Sequence, residues 1–169
     1  MNARIQSRSS LSRAVRHAAR TVMLAGMLAL QACALQPSTP VGTGDLGLVI
    51  QRASGTAAII NTTRLQNLGD ITGLGDLSHA AAVFSRDQQH AFIFGRDGAL
   101  SKVNMLTRKL EARIMQAGNS IGGAMSQDGR YVAAQNYTPG GVKVFDAQTL
   151  ELVADIPAEY EPGKLSRVV

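Results

Sequence analysis

From about Asp45 onward the chain repeats itself every ~42 residues, and this period limits the fold more than any other feature. Asn61, Asn104 and Asp146 each close a short apolar run, at spacings of 43 and 42. Ile71, Ile114 and Ile156 each end the following run at the same spacings. Ser85-Arg86-Asp87 and Ser126-Gln127-Asp128 stand 41 residues apart, each ahead of an equivalent apolar segment. The runs themselves are LGLVIQ (46–51), TAAIIN (56–61), HAAAVF (79–84), HAFIFG (90–95), ALSKVN (99–104), SIGGAM (120–125), RYVAAQN (130–136) and GVKVFD (141–146). Each has five to seven residues and is bounded by Gly, Asn, Asp or Pro. Short strands between turn signals, with no long apolar helical pattern, predict an all-β fold.

Four short strands in a unit of this length make a β-propeller blade; the helical solenoids of similar period lack the strands. The chain holds two nearly complete units, part of a first one, and a stub after Pro157. An eight-bladed ring at this period needs roughly 340 residues. The expectation is therefore two to three blades of a larger ring, with open strand edges that make the isolated piece prone to aggregate.

The leader has a different character. Arg4, Arg8, Arg13, Arg16 and Arg20 precede a ten-residue apolar run, TVMLAGMLAL (21–30), which is too short to span a bilayer and reads as a secretory signal. Leu30-Gln31-Ala32-Cys33 resembles a lipobox, in which Cys33 receives the lipid; Ala32-Cys33-Ala34 also fits plain signal cleavage. Residues 1–33 are read as a lipoprotein-type signal peptide, 34–44 (ALQPSTPVGTG) as a tether, and 45–169 as the partial propeller. The expected location is the periplasm, with a lipid anchor in the membrane. Those five arginines carry the basic excess. The other 12 basic side chains balance the 12 acidic ones, so no basic patch points to nucleic acid. A single cysteine excludes an internal disulfide and a cysteine-based metal site.

The segments GTGDLGLVIQRASG (42–55), GLGDLSHAAAVFSRD (73–87), FIFGRDGALSKVN (92–104), QAGNSIGGAMSQDGRYVAAQNY (116–137) and PGGVKVFDAQTLELVADIPA (139–158) together resemble the propeller family that binds d1-type haem. Within it they are more similar to the exported proteins of haem d1 biosynthesis than to the nitrite reductase. The resemblance implies an eight-bladed propeller with the tetrapyrrole over its central opening. It implies a role in the last oxidation, from the dihydro precursor to haem d1, with electrons passing to an external acceptor. The alternative is a non-catalytic carrier or a docking propeller. Implied partners are other haem d1 assembly proteins or the nitrite reductase. A nitrite reductase itself needs a C-x-x-C-H haem site, which the sequence lacks.

The resemblance also assigns residues. His79, ahead of Gly95-Arg96-Asp97, matches the axial iron ligand, and is the candidate for iron contact or proton transfer. Arg52 matches an arginine that binds the haem carboxylates, and Arg96 is a second such candidate, since guanidinium forks fit carboxylates. Gln51 stands where the family often has Glu, which removes any acid–base role there. Read from the residues alone, His79 is a hydrogen-bonded histidine at a blade mouth and both arginines are solvated turn residues. His90 is expected in solvent, Asp97 in a turn, and Asn136 and Tyr137 near a pocket. Gly122-Gly123 reads as close blade packing. GTGDLG (42–47) follows no strand and fails the context of a dinucleotide loop. Gln88-Gln89-His90 occupies a hairpin turn where Gly is preferred.

Overall fold

The computed structural model describes residues 42–168. The signal peptide, Cys33 and all but the last three residues of the tether lie outside the described residues. A 3-10 turn, Thr43–Asp45, leads directly into strand β1.

The strands are β1 (Leu46–Gln51), β2 (Thr56–Asn61), β3 (Gln66–Ile71), β4 (Ala81–Phe84), β5 (His90–Phe94), β6 (Ala99–Asn104), β7 (Lys109–Met115), β8 (Asn119–Met125), β9 (Tyr131–Thr138), β10 (Val142–Asp146), β11 (Leu152–Ile156), β12 (Glu159–Glu161) and β13 (Lys164–Leu165). They form antiparallel meanders β1-β2-β3, β4-β5-β6-β7 and β8-β9-β10-β11, followed by a β12-β13 hairpin. Each of the first three sheets is a propeller blade, and the first has three strands where the next two have four. The equivalence of Asn61 with Asn104 and Asp146 aligns β1 with β5 and β9. The strand lacking from the first blade, among the described residues, is thus the counterpart of β4 and β8.

The sequence repeat corresponds to one recurring turn. The side-chain oxygens of Asn61, Asn104 and Asp146 accept backbone N–H groups three residues on, from Arg64 (2.7 Å), Thr107 (2.9 Å) and Thr149 (3.0 Å). The next residue in each turn, Leu65, Arg108 or Leu150, is left-handed with φ of 53°, 58° or 59°. A register shift recurs just before each turn, at Ile59/Ile60, Lys102/Val103 and Val144/Phe145. Bulge, Asx turn and left-handed residue together re-aim each outer strand.

The other hairpin repeats as well. Ser85 and Ser126 each donate to an aspartate two residues on, Asp87 and Asp128, at 2.6 Å. The aspartates accept the N–H of Gln89 and Arg130 at 3.0 Å. Gln88 takes φ of 57° where the third blade uses Gly129 at 76°, so the departure from Gly noted in the sequence is accommodated by a left-handed glutamine.

The middle blade is buried on both faces, which is why β5 reads as a continuous apolar run. Ala91 and Ile93 point to the first blade, where they meet Ala57, Ile59, Leu74 and Leu77. Phe92 and Phe94 point the other way, onto Val132, Ala134 and Phe145. Gly123 lies against this second core: a Cβ there would overlap the Phe94 ring and Ala133 O. Of the glycine pair, Gly123 makes the close blade packing expected, while a Cβ at Gly122 would meet only the Gln135 side-chain oxygen at 3.0 Å.

Candidate functional site

Because every blade is an antiparallel meander, alternate connections gather at one end. The end of interest carries residues 52–55, 72–80, 95–98, 116–118 and 139–141. Backbone contacts tie these loops into one surface. Arg96 N donates to Asp76 O at 2.8 Å, Gln116 N to Gly98 O at 3.1 Å, and Gly118 N to Thr138 O at 3.1 Å. Gly55 lies so near Gly75 O that a Cβ would overlap it. Arg52, His79 and Arg96 all fall on these connections, so the fold brings the three sequence candidates to the same end.

Their local settings differ. Arg52 starts the β1–β2 turn, which is closed by Ser54, Thr56 and Gln51. The Ser54 hydroxyl bonds Gln51 O at 3.2 Å, and Thr56 bonds the Gln51 side-chain oxygen. Gln51 therefore holds the turn that presents Arg52. Arg96 stands in the β5–β6 turn, with its backbone fixed and its side chain exposed.

His79 is also exposed, and here the sequence expectation is corrected. His79 does not begin the strand. Ala80 N donates to Leu77 O at 3.1 Å, which keeps this stretch in a turn, and β4 starts at Ala81. Among the described residues the side chains of Arg52, His79 and Arg96 make no ion pair and no hydrogen bond. Three unpaired groups able to bind anions or a metal face solvent at one end of the blades.

Acidic groups at this end are already engaged. Asp76 accepts Ser78 N at 2.9 Å, and hydrogen bonds from Ser78 hold its carboxyl below the ordinary range, with the charges of Arg96 and His79 adding to the effect. Asp97 accepts Ala99 N at 3.1 Å, as a turn residue should, but it also ion-pairs with Arg113 at 2.5 Å. The sequence reading missed Arg113. Its signal was a basic residue at a repeat position where the other blades carry Asp70 and Asp155.

Other candidates take structural roles. Asn136 is fully buried and exchanges two amide hydrogen bonds with Gln116, at 2.8 and 3.1 Å. Tyr137 stacks beneath Arg167 and accepts its hydrogen bond at 2.6 Å. His90, expected in solvent, is half-buried at the opposite end and sits 3.1 Å from Glu111. Among the described residues no group of three or more His, Cys, Asp or Glu side chains gathers as a metal site.

Comparison with known proteins supports the propeller fold. Residues 41–169 match the Cytochrome D1 heme domain, and the chain belongs to that family of propellers. Within the family it is similar to NirF. It is 58% identical over 137 residues to NirF of Stutzerimonas stutzeri, and 56% identical over 142 residues to NirF of Pseudomonas aeruginosa. These matches cover 81% and 83% of this chain but 34% and 36% of the relatives, so the chain spans about a third of their length. The solved structure of the dihydro-heme d1 dehydrogenase NirN in complex with DHE superposes with a TM-score of 0.69 and 28% identity, over 78% of this chain and 29% of that one.

Proposed function

We propose that the protein to which these blades belong binds a d1-type haem or its dihydro precursor at the end carrying Arg52, His79 and Arg96, and serves the final oxidation that yields haem d1. The observation that carries this reading is the placement at one end of a haem d1-family propeller of three side chains, two guanidinium and one imidazole, that are unpaired among the described residues. The donor set fits the group. A tetrapyrrole with several carboxylates offers partners for exposed arginines, and a neutral imidazole is a strong ligand for its iron. The likeness to NirF and to NirN supports the same reading.

The protein's part in the chemistry is to bind and orient. Arg52 and Arg96 hold carboxylates of the tetrapyrrole, fixing it across the blade ends. His79 contacts the iron or moves a proton beside the ring that is oxidised. The oxidation removes two electrons and two protons from the dihydro form, and the electrons leave to an external acceptor. The leader residues, with Cys33 as lipid site, would place this activity in the periplasm at the membrane, close to other haem d1 assembly proteins or the nitrite reductase.

The test is to mix the intact protein with dihydro-haem d1 and a chemical electron acceptor and follow conversion by absorbance. Conversion that fails on His79→Ala supports the catalytic reading. Tight binding without conversion supports the carrier alternative. No binding refutes both.

A further inference from the structure

In a repeat scaffold, what recurs is structural and what breaks the repeat marks a local task. Asp97 occupies a turn position held by Ser54 in the first blade and Pro139 in the third. Arg113 occupies an outer-strand position held by Asp70 and Asp155. Among the described residues only the middle blade pairs an acid with a base at these two positions; in the third, Asp155 pairs with Lys143 instead. The Arg113 Nη2–Asp97 Oδ2 distance is 2.5 Å, and each side chain is about a quarter exposed, at 25% and 26%.

The pair is directed at one object, the long 72–80 connection. Asp97 Oδ2 accepts the N–H of Asp76 at 3.3 Å, and Asp76 O accepts the N–H of Arg96 at 2.8 Å, so both backbone polar groups of Asp76 are held. Two glycines make room for the pair. A Cβ at Gly75 would overlap both Asp97 Oδ2 and Arg113 Nη2, and one at Gly95 would stand 2.5 Å from Asp97 Oδ1. From Asp76 the hold continues through its carboxylate to Ser78 N at 2.9 Å, and the next residue is His79. The equivalent connection in the following blade, residues 116–118, is short and is tied differently, by Lys143, whose ammonium donates to Gln116 O at 2.9 Å and pairs with Asp155 at 3.6 Å.

We infer that Asp97 and Arg113 are positioning residues, whose ion pair fixes the loop that carries His79 and so sets where the imidazole stands at the haem-binding end. This inference rests on the functional reading of His79 given above. Neither residue need touch the tetrapyrrole.

Two readouts on the intact protein test it. The first is amide hydrogen exchange across residues 72–80 in the ligand-free protein. The second is the His79-dependent part of the absorbance spectrum with dihydro-haem d1 bound, followed against pH. Asp97→Asn and Arg113→Gln should each speed exchange at 74–79 by about tenfold while the strands of the middle blade stay protected. Each should move the spectrum part of the way toward that of His79→Ala. The double variant should add little to either single change, because both remove one interaction. Arg113→Lys, which keeps the charge, should restore most of the protection. Unchanged loop exchange overturns the inference, and so does a loosened loop with an unmoved spectrum. If His79→Ala itself leaves the spectrum unchanged, the functional reading falls and the inference with it. The His79→Ala protein alone distinguishes that case.

Discussion

Gly98 and Gly163 have similar positive φ and opposite surroundings, so alanine at the two positions separates conformational cost from packing cost. Their φ values are 84° and 74°. A side chain in this left-handed region costs about 1–2 kcal/mol. Gly163 has open space where a Cβ would go. At Gly98 the Cβ would overlap Ala117 O and come within 3.1 Å of Gly118 C. Relief requires the β5–β6 turn to part from the 116–118 connection. That breaks the bonds from Gln116 N and Ala117 N to Gly98 O, at 3.1 and 3.2 Å. Two backbone hydrogen bonds are worth about 1 kcal/mol each. Gly163→Ala should therefore cost about 1–2 kcal/mol and Gly98→Ala about 3–4 kcal/mol. With a urea slope near 2 kcal/mol per molar, Gly98→Ala should unfold about 1 M earlier than Gly163→Ala. Equal midpoints would refute the claim that these two loops are locked into one surface.

Two further predictions concern the repeating turns. Asn104→Ala leaves Leu106 N and Thr107 N without their acceptor and should cost about 1–3 kcal/mol in urea unfolding, whereas Asp146→Asn, which copies the other two blades, should cost little. Hydrogen bonds hold the carboxyls of Asp87, Asp128 and Asp146 below the ordinary value of 3.8, led by Ser85, Ser126 and Thr149 N respectively. A depressed folded-state pKa gives stability that is complete above about pH 4 and is lost as pH falls through the lowered values. Urea midpoints measured at pH 6 and pH 3 should thus diverge, and Asp87→Asn with Asp128→Asn should narrow the gap; a gap that does not narrow contradicts the assignment.

Much of the architecture was legible because the same physical problem is solved three times. Asn61, Asn104 and Asp146 recur since only a short side chain with an acceptor oxygen can close this turn. The left-handed Leu65, Arg108 and Leu150 were not legible, because no local preference puts those residues at positive φ; the turn around them does. The buried faces of β5 could be read from its apolar run, but which blade each residue faces follows only from the stacking. At the site, Arg52, His79 and Arg96 were found by family likeness and shown by topology to share one end. The Asp97–Arg113 pair was hidden, since its partners come from a turn and an outer strand. His90 looked exposed because it begins a strand, and its partner Glu111 lies two strands away across β6.

The central claim is that one end of these blades holds a d1-type haem, and the most direct measurement is an absorbance titration of the intact protein with dihydro-haem d1. Removing one charge-assisted contact should weaken binding about tenfold, so Arg52→Ala and Arg96→Ala together should weaken it about a hundredfold. His79→Ala should change the spectrum of the bound ligand. Wild-type affinity and an unaltered spectrum in the protein carrying all three substitutions would place the ligand elsewhere and contradict the account.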